Sequence, residues 1–145
     1  MKLCLAILFG FLLILVSQSF AAETEEEGYL SINSVTISLK PGYADVHAEY
    51  SLEEAFRLLA FMFGENDIRT RLLNKLAFSN ATITSMNYSA ADLIVYDVEQ
   101  VYGDGLYWFP AHTFGCEIPE VIINTNLSSE RHENIGKLEN GIVYY

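Results

Sequence analysis

Basic residues are scarce in this sequence: eight Lys and Arg stand against 19 Asp and Glu, a formal charge of −11 over 145 residues. Phosphate backbones are held by clustered Lys and Arg, so nucleic acid is excluded as a partner. Docking on anionic lipid headgroups is excluded on the same ground. Cysteine is nearly missing, with Cys4 and Cys116 alone. Small exported domains often offset a small core with several disulfides; here packing has to suffice. No second cysteine makes a zinc pattern, no carboxylate ladder matches a calcium loop, no Gly-rich loop runs into a Lys, and no G-x-S-x-G elbow occurs. No cofactor, metal ligand or catalytic residue is assigned.

One long apolar run is present, at the start. Lys2 precedes an uncharged stretch, Leu3–Val16, and Ser19 and Ala21 then supply small residues in A-x-A-like spacing. This is the layout of a secretory signal peptide, with cleavage expected after Ala21. The run is shorter than the roughly 20 residues a helix needs to cross a bilayer. Extended through residue 22 it could serve as an uncleaved anchor, the alternative reading, and only then does the protein meet a membrane. Residues 1–21 are thus expected as signal peptide, 22–28 as an acidic spacer (Glu23-Thr24-Glu25-Glu26-Glu27-Gly28), and 29–145 as a single domain. Cleavage removes Cys4, leaving Cys116 alone, a small buried apolar residue or a thiol for pairing between chains.

Within the domain, Val35, Ile37 and Leu39 alternate with polar residues, as do Ala44, Val46, Ala48 and Tyr50. This predicts a hairpin turning at Pro41-Gly42, with one buried and one wet face. Leu30 and Ile32 are out of phase with Val35, which predicts a bulge near Asn33-Ser34. Ser51-Leu52-Glu53-Glu54 reads as a capping box opening a helix from Leu52 to about Phe63, stopped by Gly64. Asn66 is expected to cap a second helix, Asp67 to about Phe78, with Ile68, Leu72, Leu73 and Leu76 on its apolar stripe. Strands are expected over Ala81–Tyr88 and over Leu93–Tyr102, the latter with Ile94, Tyr96, Val98 and Tyr102 on the inner face. Gly103-Asp104-Gly105 turns into Leu106–Phe109, and Pro110 ends that strand. Val121–Thr125 reads as a short strand, Leu127–Asn140 as an exposed loop, and Gly141–Tyr145 as a last edge strand. The expected fold class is α+β: an antiparallel sheet with two consecutive helices packed on one face, preceded by a signal peptide.

The three histidines carry little chemistry. His47 shares a polar sheet face with Asp45 and Glu49, a metal-capable set that a wet face equally explains. His112 and Cys116 are four apart without a helix to align them, and His132 sits among charged residues. The aromatics are more informative. Tyr102, Tyr107, Trp108, Phe109 and Phe114 gather around the second hairpin, and Phe61 and Phe63 end the apolar first helix. Tyr and Trp combine an apolar body with a polar tip that suits partner surfaces; core filling is the competing explanation. Tyr107, Trp108, Phe109, Phe61 and Phe63 are the candidate binding residues. Three sequons, Asn80-Ala81-Thr82, Asn87-Tyr88-Ser89 and Asn126-Leu127-Ser128, make Asn80, Asn87 and Asn126 glycosylation candidates in an exported eukaryotic or archaeal protein.

The segment Ser51–Gly64 together with Tyr107-Trp108-Phe109-Pro110 resembles small exported archaeal proteins of unassigned function. The resemblance implies an extracytoplasmic location and an α+β fold, and carries over no activity or site residue. The function expected is that of an exported, non-enzymatic domain binding a protein or envelope partner. The alternatives are a carrier of an apolar small molecule or lipid, held against the first helix, and a small secreted hydrolase with His47 or His112 as base.

Overall fold

Alternation in the first hairpin has the expected result. In the computed structural model, which describes residues 28–145 and only the backbone of residues 59–63, β1 (Leu30–Lys40) pairs antiparallel with β2 (Tyr43–Leu52). Gly42 takes a φ of 92° at the turn, where a side chain would be strained. The register shifts between Ile32 and Ser34. That bulge returns Leu30 and Ile32 to the face of Val35, Ile37 and Leu39, and all five are buried. The signal-peptide reading of 1–21, the spacer reading of 22–28 up to residue 27, and Cys4 lie outside the described residues.

Two helices follow: α1 (Glu54–Phe63) and α2 (Asn66–Leu76). The expected caps are corrected. Ser51 still belongs to β2 and its Oγ donates to Asn33 Oδ1 at 3.2 Å, so no capping box forms. The Glu53 carbonyl instead accepts from the amides of Phe56 and Arg57, 3.0 Å each. Glu65, not Asn66, precedes α2, and it makes no side-chain cap. The helix ends at Leu76 because Ala77 turns left-handed, φ 57°, with its amide on the Leu73 carbonyl. Ile68, Leu72 and Leu76 are buried, and α2 packs on β7 and β1. Burying one such leucine contributes about 1.5–3 kcal/mol. Of the two helices expected on one face, α2 is there. In α1 the described side chains, Glu54 to Leu58, are exposed, with Phe56 stacked on Tyr29 at 4.2 Å.

The remaining strands are β3 (Ala81–Met86), β4 (Ala90–Tyr96), β5 (Gln100–Gly103), β6 (Leu106–Phe109), β7 (His112–Asn124), β8 (Ser129–Leu138) and β9 (Ile142–Tyr144). They build a six-stranded sheet ordered β3-β4-β2-β1-β7-β8 and a three-stranded sheet ordered β5-β6-β9. The fold is mixed α+β, mostly strand. The expectation of a purely antiparallel sheet is corrected inside it, where β1 and β7 run parallel, Val35 opposite Val121 and Ile37 opposite Ile123.

Three further expectations change. The strand expected over Leu93–Tyr102 is broken at Asp97, whose φ of 54° bends the chain; its inner face is Ala91, Leu93 and Val95, opposite to the one expected. The short strand expected at Val121–Thr125 is the end of a 13-residue β7. The loop expected over Leu127–Asn140 contains β8, an edge strand whose polar residues face water while Leu138 reaches the core. A tight turn joins β7 to β8, with Thr125 Oγ1 accepting from the Ser128 amide at 2.9 Å.

Candidate functional site

Gly103, Asp104 and Gly105 all have positive φ, 89°, 52° and 77°, so the chain reverses tightly and lays β6 against β5. On its other side β6 pairs with β9: Tyr107 opposite Tyr144, Trp108 opposite Val143, Phe109 opposite Ile142. Neighbouring residues on a strand point to opposite faces. Phe109 and Tyr144 therefore turn toward the large sheet, while Tyr107 is half-buried, its ring stacked on Tyr144 at 5.5 Å and also bordering the opposite face. Leu106, Trp108 and Val143 turn away from it.

That outward face is open and apolar. Tyr102, Leu106, Tyr107, Trp108 and Val143 line a depression of about 230 Å3 with no charged residue in its wall. Tyr102 is 66% exposed, Val143 52% and Leu106 39%. The indole of Trp108 lies over Gly141, where an added β-carbon would fall within the ring. Only glycine at 141 lets Trp108 lie there.

Of the candidate binding residues, Tyr107 and Trp108 are brought together here. Phe109 is not part of the surface: it is 2% exposed and belongs to the core, a correction that follows from its being next to Trp108. Phe114, also from the aromatic cluster, is buried, with His112 edge-on at 4.7 Å. The side chains of Phe61 and Phe63 lie outside the described residues. Leu106 and Val143 were missed in the sequence; their signal was alternation with Trp108 and the pairing of the last strand.

Two of the histidines, His47 and His112, occupy two other grooves. His47 Nδ1 lies 2.6 Å from Asp92 Oδ1, joining β2 to β4. The groove around the pair holds about 450 Å3 and includes Thr36, Ser38, Asp45 and Thr84. No hydroxyl there is hydrogen-bonded to the ring among the described residues. Among those residues no group of three His, Cys, Asp or Glu could hold a metal ion. His112 Nε2 donates to the Leu76 carbonyl at 2.8 Å and stacks on Phe78 at 4.1 Å. Burial holds its pKa below the ordinary value, against the raising effect of the Leu76 bond. It lines a groove of about 470 Å3 with Asn80, Tyr96, Asp97 and Pro110. Cys116, on the same strand, is half-buried, and burial raises its thiol pKa while nearby Lys75 lowers it.

The three sequon asparagines are exposed. Asn80 stands just before β3, its Nδ2 donating to Asp97 Oδ2 at 2.8 Å. Asn87 stands just after β3, its Oδ1 accepting from the amides of Ser89 and Ala90 at 2.8 and 2.9 Å. Asn126 lies in the β7–β8 turn. No described helix is long and apolar enough to cross a membrane. Comparison of the chain with protein-family models, with curated proteins and with solved structures finds no match.

Proposed function

We propose that this is an exported partner-binding domain, delivered outside the cytoplasm by its N-terminal segment and engaging a protein or envelope component through the outer face of β5, β6 and β9. The observation that carries the reading is the open apolar depression lined by Tyr102, Leu106, Tyr107, Trp108 and Val143. Aromatic side chains grouped in an exposed concavity are what interface centres are made of. Trp108 is the anchor: one of its faces is held by Gly141, so little side-chain freedom is lost when the other is covered. The charge of −11 repels like-charged neighbours and favours partners whose rim is basic.

The test places a photo-crosslinking residue at Leu106 or Val143 in the full chain, with Thr36 on the open face of the large sheet as control. Crosslinks in the native envelope are expected from the first two positions, not from Thr36, and are lost in Trp108→Ala. A freely diffusing monomer that gives no crosslink from either position rejects the reading.

A further inference from the structure

The two free edges of the large sheet are protected very differently. The edge strand β8 carries Glu130, Arg131, His132, Glu133 and Lys137. Charge on an edge is a common guard against pairing with another chain. At the opposite edge β3 reads Ala-Thr-Ile-Thr-Ser-Met, with no charge, no proline and a Thr- and Ile-rich composition suited to strands. It pairs with β4 on one side, and among the described residues no strand pairs with the other. Its own defence is one irregularity, the register shift between Ile83 and Ser85.

This unguarded strand is bracketed by two sequons. Asn80 immediately precedes its first residue and Asn87 immediately follows its last, and both are exposed. We infer that Asn80 and Asn87 are N-glycosylated and that their two glycans guard the β3 edge, doing with bulk what β8 does with charge. The inference rests on the export reading, because the glycan donor and its transferase work on the far side of a membrane. In the transfer, Asn Nδ2 attacks the anomeric carbon of a lipid-linked oligosaccharide. A C–N bond forms, the bond from carbon to the lipid phosphate oxygen breaks, the phosphate leaves with the electron pair, and an Nδ2 proton is released. Asn80 has two such hydrogens, so one remains for Asp97. A glycan is bulky, soluble and held at the surface, and one at each end of a six-residue strand obstructs an incoming chain from both directions.

Translation of the full chain with microsomal membranes separates the two parts. Protease protection reports translocation, and endoglycosidase-sensitive mass increments report glycans. A protected product is expected to lose one increment in Thr82→Ala, which keeps Asn80 and its bond to Asp97, and another in Asn87→Gln. A protected chain lacking both increments overturns the inference and leaves export standing. A protease-sensitive chain fails the export reading; the purified full chain is then given an oligosaccharyltransferase and lipid-linked oligosaccharide, where no transfer to Asn80 or Asn87 overturns the inference. The guard itself is tested on the glycoprotein with an endoglycosidase that leaves one sugar, so that no new charge appears. Trimming is expected to deplete the monomer peak in sedimentation, and Ser85→Lys to restore it. A trimmed protein as monomeric as the untrimmed one overturns the guarding role.

Discussion

The hydroxyl of Tyr144 donates to one carboxylate oxygen of Glu99, and the other oxygen of Glu99 accepts from the amide of Gly42 at 2.6 Å. Tyr144 is in the last strand of the small sheet and Gly42 turns the first hairpin of the large one, so Glu99 fastens the two sheets together. Burial and the adjacent carboxylate push the Tyr144 phenol well above its ordinary pKa. Tyr144→Phe keeps the ring stacked on Tyr107 and removes only the donor. It is expected to lower unfolding free energy by about 1.5 kcal/mol in urea denaturation, the low end for a hydrogen bond to a charged group. No change in the urea midpoint would mean that the clasp does not hold the sheets.

Gly115 is where β7 passes closest to α2. An added β-carbon would collide with the Asn74 carbonyl and come within 3.2 Å of the Lys75 Cα. Both are backbone and cannot rotate aside. Gly115→Ala should therefore lift the end of α2 and cost about 1–3 kcal/mol, read from the denaturation midpoint. Gly136→Ala, whose nearest new neighbour is 3.8 Å away, is the control and should leave the midpoint nearly unchanged.

His112 gives stability a pH dependence with a definite sign. Its folded pKa is held below the ordinary 6.5 by burial, so the unfolded chain binds the proton more readily. Stability is then flat with respect to His112 above about pH 6.5 and falls as pH drops toward the folded value. His112→Gln should flatten the difference between denaturation midpoints at pH 7.5 and 5.5 relative to wild type. An equal slope in both proteins would mean that His112 is not responsible.

Cys116 should react slowly. The thiolate is the nucleophile, and burial disfavours it here despite Lys75. A maleimide is expected to label the native protein at pH 7 more slowly than a free thiol, and to do so rapidly once denaturant is added. Equal native and denatured rates would place the thiol in the open.

How far the sequence reached depended on how local the deciding interaction was. The β1–β2 hairpin and its bulge were legible because the partner strand is adjacent and the apolar phase slips visibly at Asn33. In β4, Leu93-Ile94-Val95-Tyr96 is apolar on both faces, so alternation could not say which face was inner; the buried set is Leu93 and Val95. β8 was invisible because it contributes little to the core, and its pairing with β7 supplies the order that its own residues do not. The parallel contact of β1 with β7 joins opposite ends of the domain and leaves no local trace. At the candidate site, Tyr107 and Trp108 stood out as aromatics, whereas the floor under Trp108 is an absence of side chain, Gly141, contributed by a distant segment.

The parallel pair of β1 and β7 inside the large sheet also constrains when this protein can fold. β1 is the first of the described strands to be made, yet one of its two edges waits for β7. A chain delivered N-terminus first has to keep Val35, Ile37 and Leu39 from other company until Val121 and Ile123 arrive, and contacts between such remote segments form late. Any product that stops short of Val121 leaves β1 half-paired, so the large sheet can close only after β7 has been made.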